Sequence, residues 1–421
     1  SMPDLLTDHS RASLEGAHSH GPARYVSSRA DRPTSFDPAD IPVPGGREEE
    51  WRFTPMKRFA PLFDLEAVRT ATGEGGALEV AVDAPGGVAV EAVSRDDARI
   101  GSIGAPVDRT GITAWSGFTD AVVLTLTAGA ELDRAVRLTV AGRDPGLDRP
   151  AAQHLHITAQ PGARGTVLLD HTGTAALTQG VEVVVADGAE LTLVTVQGWE
   201  DAAVHASNHR VRVEGRGVLK HVVVSLGGDV RICSDLGFSG EGGHIEAFGV
   251  YFTDAGQHQE HRPYVAHTEP HCYSRITYKG ALQGKNAHAV WVGDCLIGAG
   301  ARGTDTYELN RNLVLTEGAK ADSIPNLEIE NGNIDGAGHA SAIGRFDDEQ
   351  LFYLRARGIS EIEARRLVVL GFFNEIVAEI GVPEVEERLM AAIEKELEIT
   401  GLIAARETDD PSGSDDSDDA A

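Results

Sequence analysis

Cysteine is scarce in this 421-residue chain: Cys233, Cys272 and Cys295 are the only three, and no two form a Cys-x-x-Cys pair. An odd, scattered set excludes a disulfide framework and a self-contained cysteine-ligated metal centre. No run of about 18 apolar residues occurs, so no membrane-spanning helix and no membrane partner are expected. The N-terminus carries no charged-then-apolar leader, Ser1-Met2 reads as an expression scar, and the expected compartment is the cytoplasm. Bases are outnumbered, 37 Lys and Arg against 65 Asp and Glu, which gives a net charge of −28. With no concentrated basic patch, that balance speaks against a nucleic-acid partner. Aromatic residues make up 5% of the chain, too few for many sugar-stacking platforms.

What is present falls into zones. Residues 1–75 are rich in Pro, Arg and Asp, with weak helical patches such as Leu62 to Thr70. Within them, Trp51 and Phe53 are expected to anchor this arm to the main body. Over 76–345 short Val/Leu/Thr/Ile runs recur, such as Ala121–Thr127, Leu191–Val196 and Val218–Ser225, separated by Gly-Ala turns. Branched residues favour strands, and glycine supplies the corners. This zone lacks helical periodicity, and Asn331-Gly332 is its only Asn-Gly dipeptide, the strongest hairpin signal. The pattern suits a β-solenoid with coils of about 20 residues, and leaves a sandwich or jelly roll open.

Residues 346–402 read as helical. Asp347 with Gln350 and Ser360 with Glu363 form capping boxes, and Gly358 closes the first helix. Leu367, Leu370, Phe373, Ile376, Val377 and Ile380 follow at helical spacing over 361–380. Pro383 opens a third helix to about 399, with Val385, Leu389, Ala392, Ile393 and Leu397 on one stripe. Such helices would cap the solenoid. The extra apolar surface of Leu367-Val368-Val369-Leu370 and Phe372-Phe373 suggests a docking platform as well. Residues 403–421 form an acidic tail without the apolar content needed for order.

Few motifs carry chemistry. Gly298-Ala-Gly-Ala-Arg-Gly303 matches G-x-G-x-x-G, but the residues after it read as strand, so these are turn glycines. His258, His261, His267, His271 and Cys272 lie close in sequence; His258, His261 and His267 are a candidate metal set if neighbouring coils converge them. Gly237-Phe-Ser-Gly-Glu241 fails the serine-hydrolase elbow at its last position. His339 stands alone among small residues, Gly336-Ala-Gly-His-Ala-Ser341, at the mouth of the last coil.

The runs Pro325-Asn-Leu-Glu-Ile329, Gly338-His-Ala-Ser-Ala-Ile-Gly-Arg345 and Asp347-Asp-Glu-Gln-Leu-Phe-Tyr-Leu-Arg-Ala-Arg-Gly-Ile359 closely resemble the SufB/SufD family. Glu49-Glu-Trp-Arg-Phe-Thr-Pro55 looks like that family's N-terminal signature, on its SufD-like side. The strong similarity covers roughly 210–400. It implies a right-handed parallel β-helix core with an N-terminal helical or irregular arm and a C-terminal α-helical domain. It also implies a scaffold subunit of iron–sulfur cluster assembly with no catalytic residues of its own, paired with a SufB-like chain and a SufC-like ABC-type ATPase.

Docking of that ATPase would fall on Leu367, Leu370, Phe372, Phe373 and Ile376. SufB-like chains carry a cysteine where this chain has Ala319 and a glutamate where it has Ala340, while the SufD-like histidine is present as His339. A lone imidazole cannot hold a cluster. The resemblance therefore implies no tightly bound cofactor in the isolated chain, and iron or an iron–sulfur cluster shared at His339 with the SufB-like partner. In isolation, strand addition across the last edge would give a homodimer. The rival readings are a carbohydrate-active or metal-dependent β-solenoid enzyme and a metal-free structural oligomer.

Overall fold

The computed structural model describes residues 28–398 apart from 347, 382, 384, 385, 388 and 396, so the acidic tail and the Asp347 cap lie outside the described residues. The chain divides into two compact units, 1–33 and 34–421. The described part of the first holds a 3-10 turn, Arg29–Asp31, capped by Ser28.

The arm of the second unit contains α1 (Met56–Phe59) and α2 (Leu65–Glu74). Next come β1 (Leu78–Asp83), β2 (Val88–Val93), α3 (Arg109–Gly117), β3 (Ala121–Leu126) and β4 (Val136–Arg143). The coils that follow comprise β5 (Ala151–Ala159), β6 (Arg164–Thr174), β7 (Ala176–Val185), β8 (Glu190–Gly198), β9 (Val204–Glu214), β10 (Val218–Gly227) and β11 (Asp229–Ser239). They continue with β12 (His244–Thr253), β13 (His258–His267), β14 (Tyr273–Leu282), β15 (His288–Ile297), β16 (Asp305–Val314), β17 (Lys320–Ile329) and β18 (Gly336–Arg345). Helices α4 (Asp348–Arg355) and α5 (Glu361–Ile380) end the named elements, and helical positions continue to 398.

The strands form two nine-stranded sheets. Even-numbered strands from β4 to β18, with β1 at the edge, build sheet A; odd-numbered strands from β3 to β17, with β2 at the edge, build sheet B. Pairing is parallel throughout except at β1–β4 and β2–β3. The core is therefore a parallel β-solenoid. Its coil is longer than the glycine spacing suggested: Val218, His244, Tyr273, Asp305 and Gly336 stand in one column, steps of 26 to 32 residues. Each coil holds two strands of about ten residues and two turns, and the Gly-Ala pairs mark only some of those turns.

Alternate residues of both sheets meet inside. The inner face is apolar towards the N-terminal coils, with Leu138, Leu155, Leu169 and Val183 fully buried. Later coils admit polar and aromatic groups. Tyr251 and Tyr278 fit only because their column neighbours are Gly280 and Gly249, where any Cβ would run into the tyrosine rings. Inner polar groups bond among themselves: His209 stands 2.8 Å from His221, and Ser225 Oγ 2.8 Å from His261. Tyr251 donates to Asn312.

Both outer faces are covered in part. On sheet B, Trp51 is buried and the Arg231 guanidinium lies 3.8 Å from its ring centre. Arg231 also pairs with Asp108 at 2.7 Å and Glu260 at 3.2 Å, and Thr54 Oγ1 donates to Glu260 at 2.9 Å. The arm is thus clasped by Trp51, with Phe53 half-buried 6.5 Å from the His288 ring. Helix α3 also packs here, and the sequence reading of 76–345 missed it. Thr110, Gly111 and Thr113 are poor helix formers; the Asp108 cap on the Gly111 N–H and burial of Ile112 and Ala114 supply what propensity does not.

Sheet A shows an unusually apolar outer face, with Val194, Val196, Val222, Val224, Phe248 and Val250 buried in one cluster with α5 and with Leu389 and Ile393 of the helical residues after it. Ser360 Oγ accepts from the Glu363 N–H at the start of α5, as its capping box requires, and Gly358 has φ 83. At the other end, Lys220 Nζ donates to the carbonyls of Glu379 and Ile380. Val369, Phe373, Ile376, Val377 and Ile380 fill the contact; at about 1.5–3 kcal/mol each, their burial is what holds the helix down.

Candidate functional site at the open end of the solenoid

Among the described residues, no further strand follows the last coil. Strands β17 and β18 end their sheets, each with a single ladder neighbour, β15 and β16. Side chains that would be core one coil earlier are therefore exposed: Ile343 is 51% and Ile329 48% accessible. Ala337, His339, Ser341 and Ile343 continue the inner columns of sheet A. Ile276, Glu308 and His339 are successive members of one such column. His339 is exposed, as its place at the mouth of the last coil requires.

Directly behind it, Glu308 is 1% exposed and neither carboxylate oxygen has a hydrogen-bond partner. Burial, with the negative charge of Asp294 adding to it, pushes this carboxyl up to about 9. Its inner-face neighbours on β16 are satisfied. Thr306 Oγ1 lies 2.6 Å from Ser274 Oγ and 3.5 Å from Cys295 Sγ. Asn310 donates to Tyr251 Oη and the Tyr278 carbonyl and accepts from Ser323 Oγ at 2.6 Å. Sequence reading passed over Glu308 because a strand of the pattern Thr-x-Glu-x-Asn-x-Asn gives no apolar side to mark as inward. The signal that was available is its position one coil before the histidine motif.

The histidine set does not converge. His258 faces outward on β13, 2.9 Å from Glu260 Oε1; His261 and His267 face inward, bonded to Ser225 and Ser274. Alternation puts the first on the opposite side of the strand, and six residues of extended chain separate the other two by about 20 Å. No three His, Cys, Asp or Glu side chains meet in metal-holding geometry among the described residues. The metal set His258, His261 and His267 is therefore corrected: these are buried structural histidines. Thiol chemistry is muted too, since burial pushes Cys233 and Cys295 up to about 12.

The apolar stripe of α5 splits. Phe373 and Ile376 are fully buried against sheet A and are not presented to a partner. Leu370 and Phe372 are half-buried, and Leu367 is exposed. Outside the expected set, Phe352 and Tyr353 of α4 are exposed, 75% and 58%, beside a groove lined by Glu349, Gln350, Tyr353, Leu354 and Val368. No described helix is long and apolar enough to cross a membrane.

Comparison with known proteins fits this geometry. Residues 142–372 match the family described as SUF system FeS cluster assembly, SufBD core domain. An iron–sulfur cluster assembly SufBD family protein of Mycobacterium bovis is 51% identical over 373 residues, 87% of this chain and 92% of the relative. One from Mycobacterium leprae is 48% identical over the same length. A SufBD family protein of Staphylococcus epidermidis is 28% identical over 201 residues, 48% of this chain and 43% of its own. With a matching domain that covers the solenoid from β4 to the middle of α5, the chain belongs to the SufBD family of SUF-system iron–sulfur cluster assembly proteins.

Proposed function

We propose that this chain is a SufD-like, non-catalytic scaffold subunit that pairs with a SufB-like chain across the open end of its solenoid. The observation that carries the reading is that end: two unpaired strand edges with His339 exposed on the inner column between them. A second solenoid adding strands there would cover the exposed Ile329 and Ile343 and bring its own donors to His339. Ala319 and Ala340 stand where SufB-like chains carry donors, so iron or a nascent cluster, as cargo, needs the partner to complete its ligation. A SufC-like ABC-type ATPase would grip the α4–α5 face through Phe352, Tyr353 and Leu367, and the assembly would work in the cytoplasm. The metal-dependent enzyme alternative loses its ligand set with His258, His261 and His267 apart.

Affinity purification of the full chain from its native host, read by mass spectrometry, tests this. Recovery of a cysteine-bearing paralogue and an ABC-type ATPase is expected; purification with neither overturns the proposal. His339→Ala is expected to keep the complex and lose cluster maturation.

A further inference from the structure

We propose that Glu308 is a second ligand, beside His339, for a divalent first-row transition-metal ion held in the mouth of the last coil. The proposal deepens the reading of His339 as the cargo-facing residue and rests on it. Glu308 and His339 are register partners on adjacent parallel strands, both directed to the inner face. Strand neighbours lie about 4.8 Å apart. An ion with bonds of about 2.0–2.2 Å to nitrogen and oxygen therefore fits between an imidazole and the carboxylate one strand deeper.

The state of Glu308 points the same way. Thr306, Asn310 and Asn312, the other inner-face polar residues of β16, are all hydrogen-bonded. Glu308 alone has two buried oxygens with no donor. The charged group acting on it is Asp294, another acid, so no protein cation answers it. A buried carboxyl without partners costs stability, and a packed apolar residue such as the Ile276 one strand deeper would serve the fold better. A cation reaching it past the exposed His339 supplies the missing partner. Imidazole nitrogen plus carboxylate oxygen suits Fe(II) and its neighbours. Two donors leave positions open for water or a second chain, in keeping with the lack of any three-donor cluster among the described residues.

Titration of the full-length chain with Co(II), followed by d–d absorption and equilibrium dialysis, tests this. One ion per chain is expected. Glu308→Gln should weaken binding at least tenfold while far-UV circular dichroism is unchanged, and Glu308→Asp, which keeps a carboxyl donor, should bind more tightly than Glu308→Gln. A wild-type chain that binds no Co(II) at millimolar concentration, or a Glu308→Gln chain that binds as wild type, overturns the proposal. In the latter case a loss confined to His339→Ala leaves the reading of His339 standing; if His339→Ala also binds as wild type and matures clusters, both fall.

Discussion

Lys279 Nζ of β14 stands 2.6 Å from Glu375 Oε2 of α5 and 5.4 Å from the centre of the Phe372 ring. Lys279 is the buried partner, with a side chain 4% exposed, and Glu375 the exposed one. The Lys279 ammonium thus interrupts the apolar outer face of sheet A where the C-terminal helix lies on it, as Lys220 does at the end of α5. The hydrogen bond and charge of Lys279 hold the Glu375 carboxyl below its usual range.

That asymmetry decides which mutation matters. Glu375→Ala strands a buried cation and should loosen α5 by about 1–3 kcal/mol. Lys279→Met removes the charge but keeps the stem's packing and should be neutral or stabilising. Hydrogen exchange of the amides in 361–380 reads the difference; equal protection in Glu375→Ala and wild type would show that apolar burial alone holds the helix.

Stability should peak near pH 6.5. His171, His221 and His267 are held down to about 4 and His261 to about 3 by burial, against an ordinary 6.5. The native state keeps them neutral while the unfolded chain takes up protons, so stability present above pH 6.5 is lost as pH falls towards 4. Glu308 acts oppositely. Raised to about 9 from 4.5, it favours the native state at low pH and withdraws that favour as pH rises to 9, by about 1.4 kcal/mol per unit. Urea midpoints from pH 5 to 9 should rise and then fall for wild type, and Glu308→Gln should lose the falling limb. Parallel curves for the two chains would contradict the buried, protonated Glu308.

The solenoid and its C-terminal helices were legible because both rest on local signals: branched runs, glycine corners and the Ser360 cap. The arm's anchor was legible in Trp51 for the same reason, a large apolar ring in a polar segment. Coil length was not, because Gly280-Ala281 lies within β14, where Gly280 makes room for the Tyr251 ring and marks no turn. Helix α3 was hidden by its own composition. The histidines of β13 show the limit most plainly: adjacency in sequence became opposite faces once strand alternation was imposed, and Glu308 acquired meaning only from a register partner 31 positions away.

The open end should drive self-association when no partner is present. Ile329 and Ile343 belong to inner columns that stop at the last coil, and free strand edges flank them. Light scattering of the purified chain at micromolar concentration should give a dimer mass. Charges on this end discourage edge pairing, so Ile329→Lys with Ile343→Lys should give a monomer with an unchanged urea midpoint. A wild-type monomer, or a dimer that survives both lysines, would place self-association elsewhere or nowhere.

The split of the α5 stripe lets proposed partner binding be tested apart from folding. Phe352 and Leu367 touch solvent, so Phe352→Ser with Leu367→Ser should change stability by less than about 1 kcal/mol. The same pair should abolish co-purification of the ATPase subunit if the α4–α5 face is its seat. Phe373, wholly buried on sheet A, behaves differently: Phe373→Ala opens a cavity costing about 3–5 kcal/mol and would lose the ATPase only by unseating the helix. Comparing retained ATPase with the urea midpoint for the two variants distinguishes these routes. Loss of partner at full stability can come only from the exposed face, whereas a surface double mutant that still retains the ATPase would move the docking site off these helices.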